Sequence, residues 1–299
     1  MLKPIVVGLD GSPESVAAAS WAAREAVRRG LPLRLVHAWE GLPSDDEPVT
    51  LPELQVPQYW ARRILRSTLD RVTETCPQLY VSAEQINKPP IAALLAEAEK
   101  AELLVLGNQG LGGLSGFFAG SVALASVAQV RQPVVLVRAG WSAADDHMPD
   151  SDGRPSVRTP CREVMLAVDP KNDCGAVLDF AFEAAKHRGA SLSVIHAWQL
   201  LLHSPGGTDQ ESDASAQRDA ESALAQVIAP WREKYPTVEV RAQAHHGRPA
   251  PALTRAAQEA GLLIVGRKVR RQAVGSHTGR VAHLAIHHVT CPVAVVAHD

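Results

Sequence analysis

Short apolar runs punctuate the first half of the chain at Ile5-Val6-Val7, Leu33-Arg34-Leu35-Val36, Leu79-Tyr80-Val81, Leu103-Leu104-Val105-Leu106 and Val134-Val135-Leu136-Val137. Runs of this length with little polar alternation suit strands buried on both faces, as in a parallel sheet covered by helices. The segments between them carry helix signals. Ser12-Pro13-Glu14 offers an N-cap, a proline at the first helical position and an acid in the first turn, and Gly30 closes that helix. The pattern predicts an α/β fold, a doubly wound unit of five parallel strands and four helices. Such sheets bind ligands beyond the carboxyl ends of their strands, where the strand order reverses.

The pattern then repeats. Asp10 recurs as Asp169, Gly30 as Gly189, His37-Ala38-Trp39 as His196-Ala197-Trp198, Gly107 as Gly266, Gly120 as Gly279 and Pro133-Val134 as Pro292-Val293, every pair 159 residues apart. A register held over this span marks two copies of one fold in tandem. The expected division is residues 1–139 for the first domain, 140–160 for a linker rich in Asp, Ser and Pro, and 161–299 for the second. Two further polar stretches, 40–57 and 203–215, occupy matched places and read as long surface loops, candidate lids over a site or plain solvated insertions.

Composition narrows the function classes. The 299 residues are 46% apolar and 21% charged, as in a soluble globular protein, and the net charge of -2 argues against nucleic acid or an anionic membrane as partner. The N-terminal apolar run is too short for a signal peptide, and no stretch is long enough to span a bilayer. The four cysteines have neither metal-ligand nor disulfide-framework spacing, which fits a reducing cytoplasm. Among the 12 histidines, His283 and His287 lie one helical turn apart, with His288 beside them and His245-His246 elsewhere. No HExxH, cysteine or spaced carboxylate accompanies them, so packing or surface roles are favoured over a metal site. No Gly-x-Ser-x-Gly elbow or Ser-His-Asp set is visible.

The chemistry concentrates at residues 107–121, GNQGLGGLSGFFAGS, where six of fifteen residues are glycine and none is charged. Converging backbone N–H groups and a helix N-terminus can hold phosphate oxygens without a formal positive charge. That requires residues free to adopt positive φ and lacking a side chain that keeps the ligand away, which Gly107, Gly110 and Gly120 satisfy. Ser121 stands where its hydroxyl can cap the following helix or donate to a phosphate. No Lys-Ser or Lys-Thr pair follows, so this is not a Walker loop. The turn after the first strand, Gly8-Leu9-Asp10-Gly11-Ser12, lacks the third glycine of a dinucleotide fingerprint.

Gly107-x2-Gly110-x9-Gly120-Ser121, together with the strand-one aspartate and the closing Pro-Val-Val strand, resembles the nucleotide motif of the universal stress protein family, over nearly the whole chain. The resemblance implies two Rossmann-like domains and a regulatory module that acts in stress response or growth arrest. It also implies ATP, with Mg²⁺ or Mn²⁺ on its phosphates. Carried over, Gly8, Leu9 and Asp10 line the adenosine, Ala38 lies against adenine, Leu106 closes the pocket, and Gly107, Gly110, Gly120, Ser121 and Val122 surround the phosphates. Asp10 has a local reading as well, a helix N-terminal carboxylate satisfied by nearby amides. The family also implies a homodimer and a protein partner of unknown identity.

The second copy departs from the motif. Its stretch, GRKVRRQAVGSHTGR at 266–280, keeps Gly266 and Gly279 but places Val269 and Arg280 where the first copy has Gly110 and Ser121, and Pro170-Lys171 replaces Gly11-Ser12. Asp169, Ala197, Val265, Gly266, Gly279 and Arg280 are the matched candidates. The basic residues Arg267, Lys268, Arg270 and Arg271 either replace the amide cradle as side-chain cations or form a solvated surface at a degenerate site; the second reading is favoured. An ATP-using enzyme, such as an adenylyl- or phosphoryl-transferase, is a rival. The loop supplies neither nucleophile nor metal-binding carboxylates, so hydrolysis is expected to be slow at most. A cyclic-AMP-binding or nucleotide-free scaffold is a third reading on the same fold.

Overall fold

The computed structural model describes residues 2–39, 52–109, 120–198, 209–247, 249–269 and 278–299. The chain divides into two compact units, Met1–Ala143 and Ala144–Gln272 with Gly279–Asp299. The first contains β1 (Ile5–Gly8), α1 (Pro13–Arg29), β2 (Leu33–Ala38), α2 (Pro52–Thr75), β3 (Val81–Ile86), α3 (Pro90–Ala98), β4 (Leu103–Asn108), α4 (Ser121–Gln129) and β5 (Val134–Arg138). Its strands pair in parallel in the order β3-β2-β1-β4-β5. The order reverses between β1 and β4, so the carboxyl ends of these two strands flank the crevice of a doubly wound sheet.

Local chemistry accounts for these elements. Ser12 caps α1 by accepting the Ser15 amide, Pro13 takes the first turn, and Gly30 ends the helix in the left-handed region at φ 64°. Ala18, Ala22 and Ala26 are fully buried, so α1 sits close on a sheet whose Ile5, Val6, Leu33, Leu35, Leu103 and Leu104 have no solvent exposure. The third strand differs from expectation. It runs from Val81 to Ile86, and Leu79 and Tyr80 precede it. An edge strand half open to water has no need of an apolar run, and Tyr80 is exposed. Across this edge Arg34 of β2 bonds Glu97 of α3 at 2.6 Å and also Glu84 of β3.

The second unit repeats the plan with β6 (Val164–Ala167), α5 (Gly175–Arg188), β7 (Leu192–Trp198), α6 (Asp209–Lys234), β8 (Val240–His246), α7 (Pro249–Ala256), β9 (Leu262–Lys268), α8 (Arg280–His288) and β10 (Val293–His298). Its parallel order is β8-β7-β6-β9-β10. Residues 140–160 are not featureless. A 3₁₀ turn at Ala144–Asp146 leads to an antiparallel bridge between His147 and Cys161, with the His147 ring bonded to the Thr159 carbonyl at 2.5 Å and Met148 N–H donating to Pro160. The polar stretches at 40–57 and 203–215 lie in part outside the described residues. Their ends are helical, since α2 starts at Pro52 and α6 at Asp209. Acids at the start of α6 (Asp209, Glu211, Asp213) suit the positive end of a helix dipole, which is why a polar stretch need not be a loop.

Candidate functional site

In the first unit β1 delivers Gly8, Leu9 and Asp10 to the crevice. Leu9 extends the β1–β2 pairing by donating to Val36 at 2.8 Å, and the chain then turns out of the sheet at Asp10. Asp10 Oδ1 accepts from the Ser12 amide at 2.9 Å and from Ser12 Oγ at 2.6 Å, while Ser15 Oγ donates to the Ser12 carbonyl. Burial pushes the Asp10 carboxyl up, but the bonds from Ser12, backed by Ser15 and by its own amide, outweigh it and hold the group below the usual carboxylate range. The local reading of Asp10 therefore describes one of its oxygens, and the exposed carboxylate stands fixed at the crevice mouth.

Each glycine has its own reason. A Cβ on Gly8 would lie 2.6 Å from Leu106 Cδ2 and 3.0 Å from Leu94 of α3, so Leu106 closes down on β1 where a side chain would keep it off. A Cβ on Gly107 would lie 2.8 Å from three atoms of α1, the Glu14 carbonyl carbon and Cβ and the Ser15 nitrogen. Gly107 therefore permits the close approach of α1 to β4. Gly120 is the N-cap of α4 at φ -47°, and a Cβ there meets no described atom within 4 Å. Neither Gly107 nor Gly120 uses positive φ, contrary to expectation, because one lies in an extended strand and the other in backbone open to any residue. Ser121 opens α4 as its first residue and makes no side-chain cap; its hydroxyl is exposed at the helix N-terminus beside half-buried Val122. Ala38 ends β2. Gly110 lies outside the described residues.

A buried histidine braces this edge. His37 Nδ1 is 2.7 Å from the Leu9 carbonyl, and His196 Nδ1 is 3.1 Å from the Val168 carbonyl at the matched place. A carbonyl only accepts, so Nδ1 carries the proton in both and donates it to that oxygen. The histidine reaches across from the second strand and fixes the residue that precedes Asp10 or Asp169. The matched pair thus braces the backbone at both edges, and recurrence at the 159-residue register was the signal for it.

The second unit has a half-open cavity of about 320 Å³ at the corresponding edge, walled in part by Asp169, Ala197, Gly266, Gly279 and Arg280. Val168, Val281 and Leu253 complete its apolar side. Val265 is not in the wall; it is fully buried within β9. Two residues not singled out from sequence, Cys174 and His298, also line the cavity, as does Lys268 of the basic run. Cys174 stands where Ser15 stands in the first unit, and its Sγ donates to the carbonyls of Asp169 and Asn172. Burial, and then the charges of Asp169 and Asp173, push its thiol up to about 11.

The cradle itself has changed. Asp169 Oδ1 accepts from the Lys171 amide at 3.1 Å and Oδ2 from Asn172 Nδ2 at 3.0 Å, so both oxygens serve the local turn. Val269 N–H donates to the His298 carbonyl at 2.7 Å and continues the β9–β10 ladder. A Cβ on Gly266 would meet the His298 ring at 2.9 Å. Gly279 sits at φ 80° and ψ 152°, a region reserved for glycine, so backbone conformation explains its retention. Helix α5 begins at Gly175, with Cys174 as N-cap and no side-chain capping bond, because Pro170-Lys171-Asn172 lacks the Ser-Pro start of α1. Nor is the basic run uniformly solvated. Strand alternation in β9 buries Arg267, whose guanidinium is pushed below the usual arginine range, and exposes Lys268. Arg270 and Arg271 lie outside the described residues.

Among the described residues no group of three His, Cys, Asp or Glu side chains is disposed to hold a metal, although His283 and His287 have ring centroids 4.4 Å apart. No described helix is long and apolar enough to cross a membrane. The described cysteines are free thiols.

The universal stress protein family model matches residues 1–138 and again 160–297. The chain is 30% identical to the universal stress protein Rv2005c of Mycobacterium tuberculosis over 97% of this chain and 96% of the relative. It is 30% identical to a universal stress protein of Mycolicibacterium smegmatis over 98% and 96%. Among solved structures, that of a universal stress protein from Archaeoglobus fulgidus superimposes with a TM-score of 0.66, covering all of both chains at 14% identity, which speaks for the fold alone. Two matched segments, two parallel sheets of one order and full-length relatives agree: the chain is a tandem member of the universal stress protein family.

Proposed function

We propose that the chain is an adenine-nucleotide-binding regulatory protein that holds ATP chiefly at the carboxyl edge of its first unit. The observation that carries this reading is the cavity of the second unit, because it forms at the repeat positions of Gly8, Leu9, Asp10, Ala38, Gly107, Gly120, Ser121 and Val122. At about 320 Å³ it falls within the range of roughly 300–1,000 Å³ typical of small-molecule sites. In the first unit Gly8 stands in place of Ala167, Ser121 in place of Arg280 and Ala139 in place of His298, and a Cβ on Gly120 at the N-terminus of α4 meets no described atom within 4 Å. Asp10, oriented by Ser12, serves as the ribose acceptor, and the first amides of α4 with the Ser121 hydroxyl serve the phosphates.

A Mg²⁺ or Mn²⁺ ion would ride on the phosphates, with Ser121 the oxygen donor of this chain at that place. Hydrolysis in this reading is slow, since among the described residues of the first unit no base for water and no arginine finger stands beside Ser121. In the second unit the Val269 amide is tied to His298 and both Asp169 oxygens to their own turn, so the expected stoichiometry is one ATP per chain. The protein works in the reducing cytoplasm, which its free cysteines suit.

Two measurements test this reading. Mass spectrometry of ligand released from protein as purified should find an adenine nucleotide, and equilibrium dialysis should saturate at one ATP per chain. Gly120→Val should leave the fold intact, because that backbone accepts any residue and a Cβ there meets no described atom within 4 Å, yet it should weaken ATP binding by about tenfold or more. Undiminished affinity in that variant, or no binding by the parent protein, refutes the reading.

A further inference from the structure

The cavity of the second unit has an apolar floor and a cationic mouth. Val168, Val177, Ile195 and Leu253 line it and are buried. Lys268 and Arg280 line it as exposed side chains, and the His298 ring stands beside them against Gly266. Among the described residues neither Lys268 nor Arg280 meets a carboxylate in an ion pair, whereas Arg29 and Arg34 are both held by glutamates. Asp169, the one acid among the described residues of the wall, already gives its two oxygens to the Lys171 amide and the Asn172 side chain.

The repeat shows that the fold does not demand these cations. The floor is apolar in both copies, with Leu9, Ala18, Val36 and Leu94 at the matched positions. At the mouth the first copy has Gln109, Ser121 and Ala139 where the second has Lys268, Arg280 and His298. The exchange of neutral for basic side chains is thus confined to the rim. It occurs in the unit whose strand-one aspartate and Val269 amide are tied up within the protein.

The charges specify the ligand. Two cations against one carboxylate leave a surplus of one positive charge, which a monoanion balances and a phosphate monoester, at about −1.5 to −2 near pH 7, overshoots. The planar fork of Arg280 matches the two oxygens of a carboxylate. Helix α8, whose Val281 and Ala282 wall the cavity, begins without a side-chain cap, and its positive end favours the same charge. A chamber of about 320 Å³ has room for an apolar body of about ten non-hydrogen atoms. We propose that this cavity binds a small organic carboxylate, its apolar body on the buried floor and its carboxylate between Arg280 and Lys268. This is a different site from the one proposed for ATP in the first unit, and it does not depend on that reading.

Titration of the full chain with benzoate, phenylacetate and octanoate, each against its neutral amide, tests the proposal by calorimetry and methyl NMR. At least one carboxylate should bind once per chain, about tenfold or more tighter than its amide. It should shift the methyl resonances of Val168, Val177, Ile195 and Leu253. Arg280→Gln should weaken that carboxylate by about tenfold and Lys268→Gln by about threefold, and both side chains are exposed, so the fold should survive. Ala197→Phe, at a half-buried wall position, should fill the chamber and abolish binding. Saturating ATP should leave carboxylate binding unchanged, so failure of this proposal and failure of the ATP reading are told apart. The proposal is overturned if no carboxylate binds up to about 10 mM, or if carboxylate and amide bind equally well. Indifference to Arg280→Gln, or shifts of the same methyls by ATP or inorganic phosphate instead, overturns it too.

Discussion

Gly107→Ala separates two reasons for which a chain keeps glycine beside a phosphate site. The added methyl would lie 2.8 Å from the Glu14 carbonyl carbon, the Glu14 Cβ and the Ser15 nitrogen. Two of these three are main-chain atoms in the first turn of α1, and they cannot rotate aside as a side-chain tip can. Ordinary carbon contact begins near 3.5 Å, so α1 must retreat by roughly 0.7 Å or the strand must bend. Inserting a methyl into such a seam costs about 1–3 kcal/mol, and the upper part of that range applies because backbone must move. Relief of glycine's entropy penalty in a strand returns about 0.5 kcal/mol. The net loss, about 1–2.5 kcal/mol, lowers the melting temperature of the first unit by roughly 3–8 °C. Scanning calorimetry and urea denaturation read this directly. Because Ser12 and Ser15 move with α1, ATP affinity should fall as well. A Gly107→Ala protein as stable as its parent would show that α1 has slack over β4, and the packing explanation of this glycine would be lost.

Glu97→Gln should destabilise the first unit by about 1–3 kcal/mol at pH 7, since the buried carboxylate bonds Arg34 at 2.6 Å and Lys100 at 3.1 Å. Burial pushes that carboxyl up, yet Lys100 and Arg34 outweigh it and set it below its ordinary value, so its stabilisation is complete above the unfolded-state value and is lost as pH falls through the folded one. Urea midpoints of parent and variant should therefore differ most at neutral pH and converge in acid. His37→Phe keeps an aromatic side chain, a larger one, but leaves the Leu9 carbonyl without its donor, at a cost of about 1–3 kcal/mol, and NMR should show the Leu9 and Asp10 amides displaced while those of α4 hold still. Cys174, with its thiol near 11 and largely buried, should be alkylated by iodoacetamide far more slowly than Cys76 or Cys161 at pH 8, as peptide mass mapping would show.

The repeat, the alternation of strand and helix and both ends of α1 were legible because each has a local cause: apolar runs, a Ser-Pro cap and a glycine in the left-handed region. The third strand was misplaced because an edge strand is specified by its pairing with β2, and Val81 to Ile86 carry no apolar run to announce it. The starts of α2 and α6 hid in polar stretches for a related reason, since helix N-termini favour the residues that also make loops. At the candidate site, the reasons for particular residues were not legible. Gly107 sits where the motif puts it, but a helix packed against it, invisible to spacing, explains the absent side chain. The cavity in the second unit was the least readable feature. It depends on Cys174 and His298, which lie far apart in sequence and outside the motif, and on a helix that starts late.

That late start makes the two halves a natural pair of grafts. Residues 170–173, Pro-Lys-Asn-Asp, stand where the first copy has Gly-Ser-Pro-Glu at 11–14. Transplanting the latter, with Cys174→Ser, supplies the hydroxyl, the ring and the acid that wind one more turn onto α5. That turn occupies space where Asn172 and Cys174 now wall the chamber, and it releases Asp169 from holding their segment. The opposite exchange loosens the first half. A handful of residues at one helix tip thus sets where the first helix of each half begins and whether its strand-one aspartate is held by one oxygen or by both.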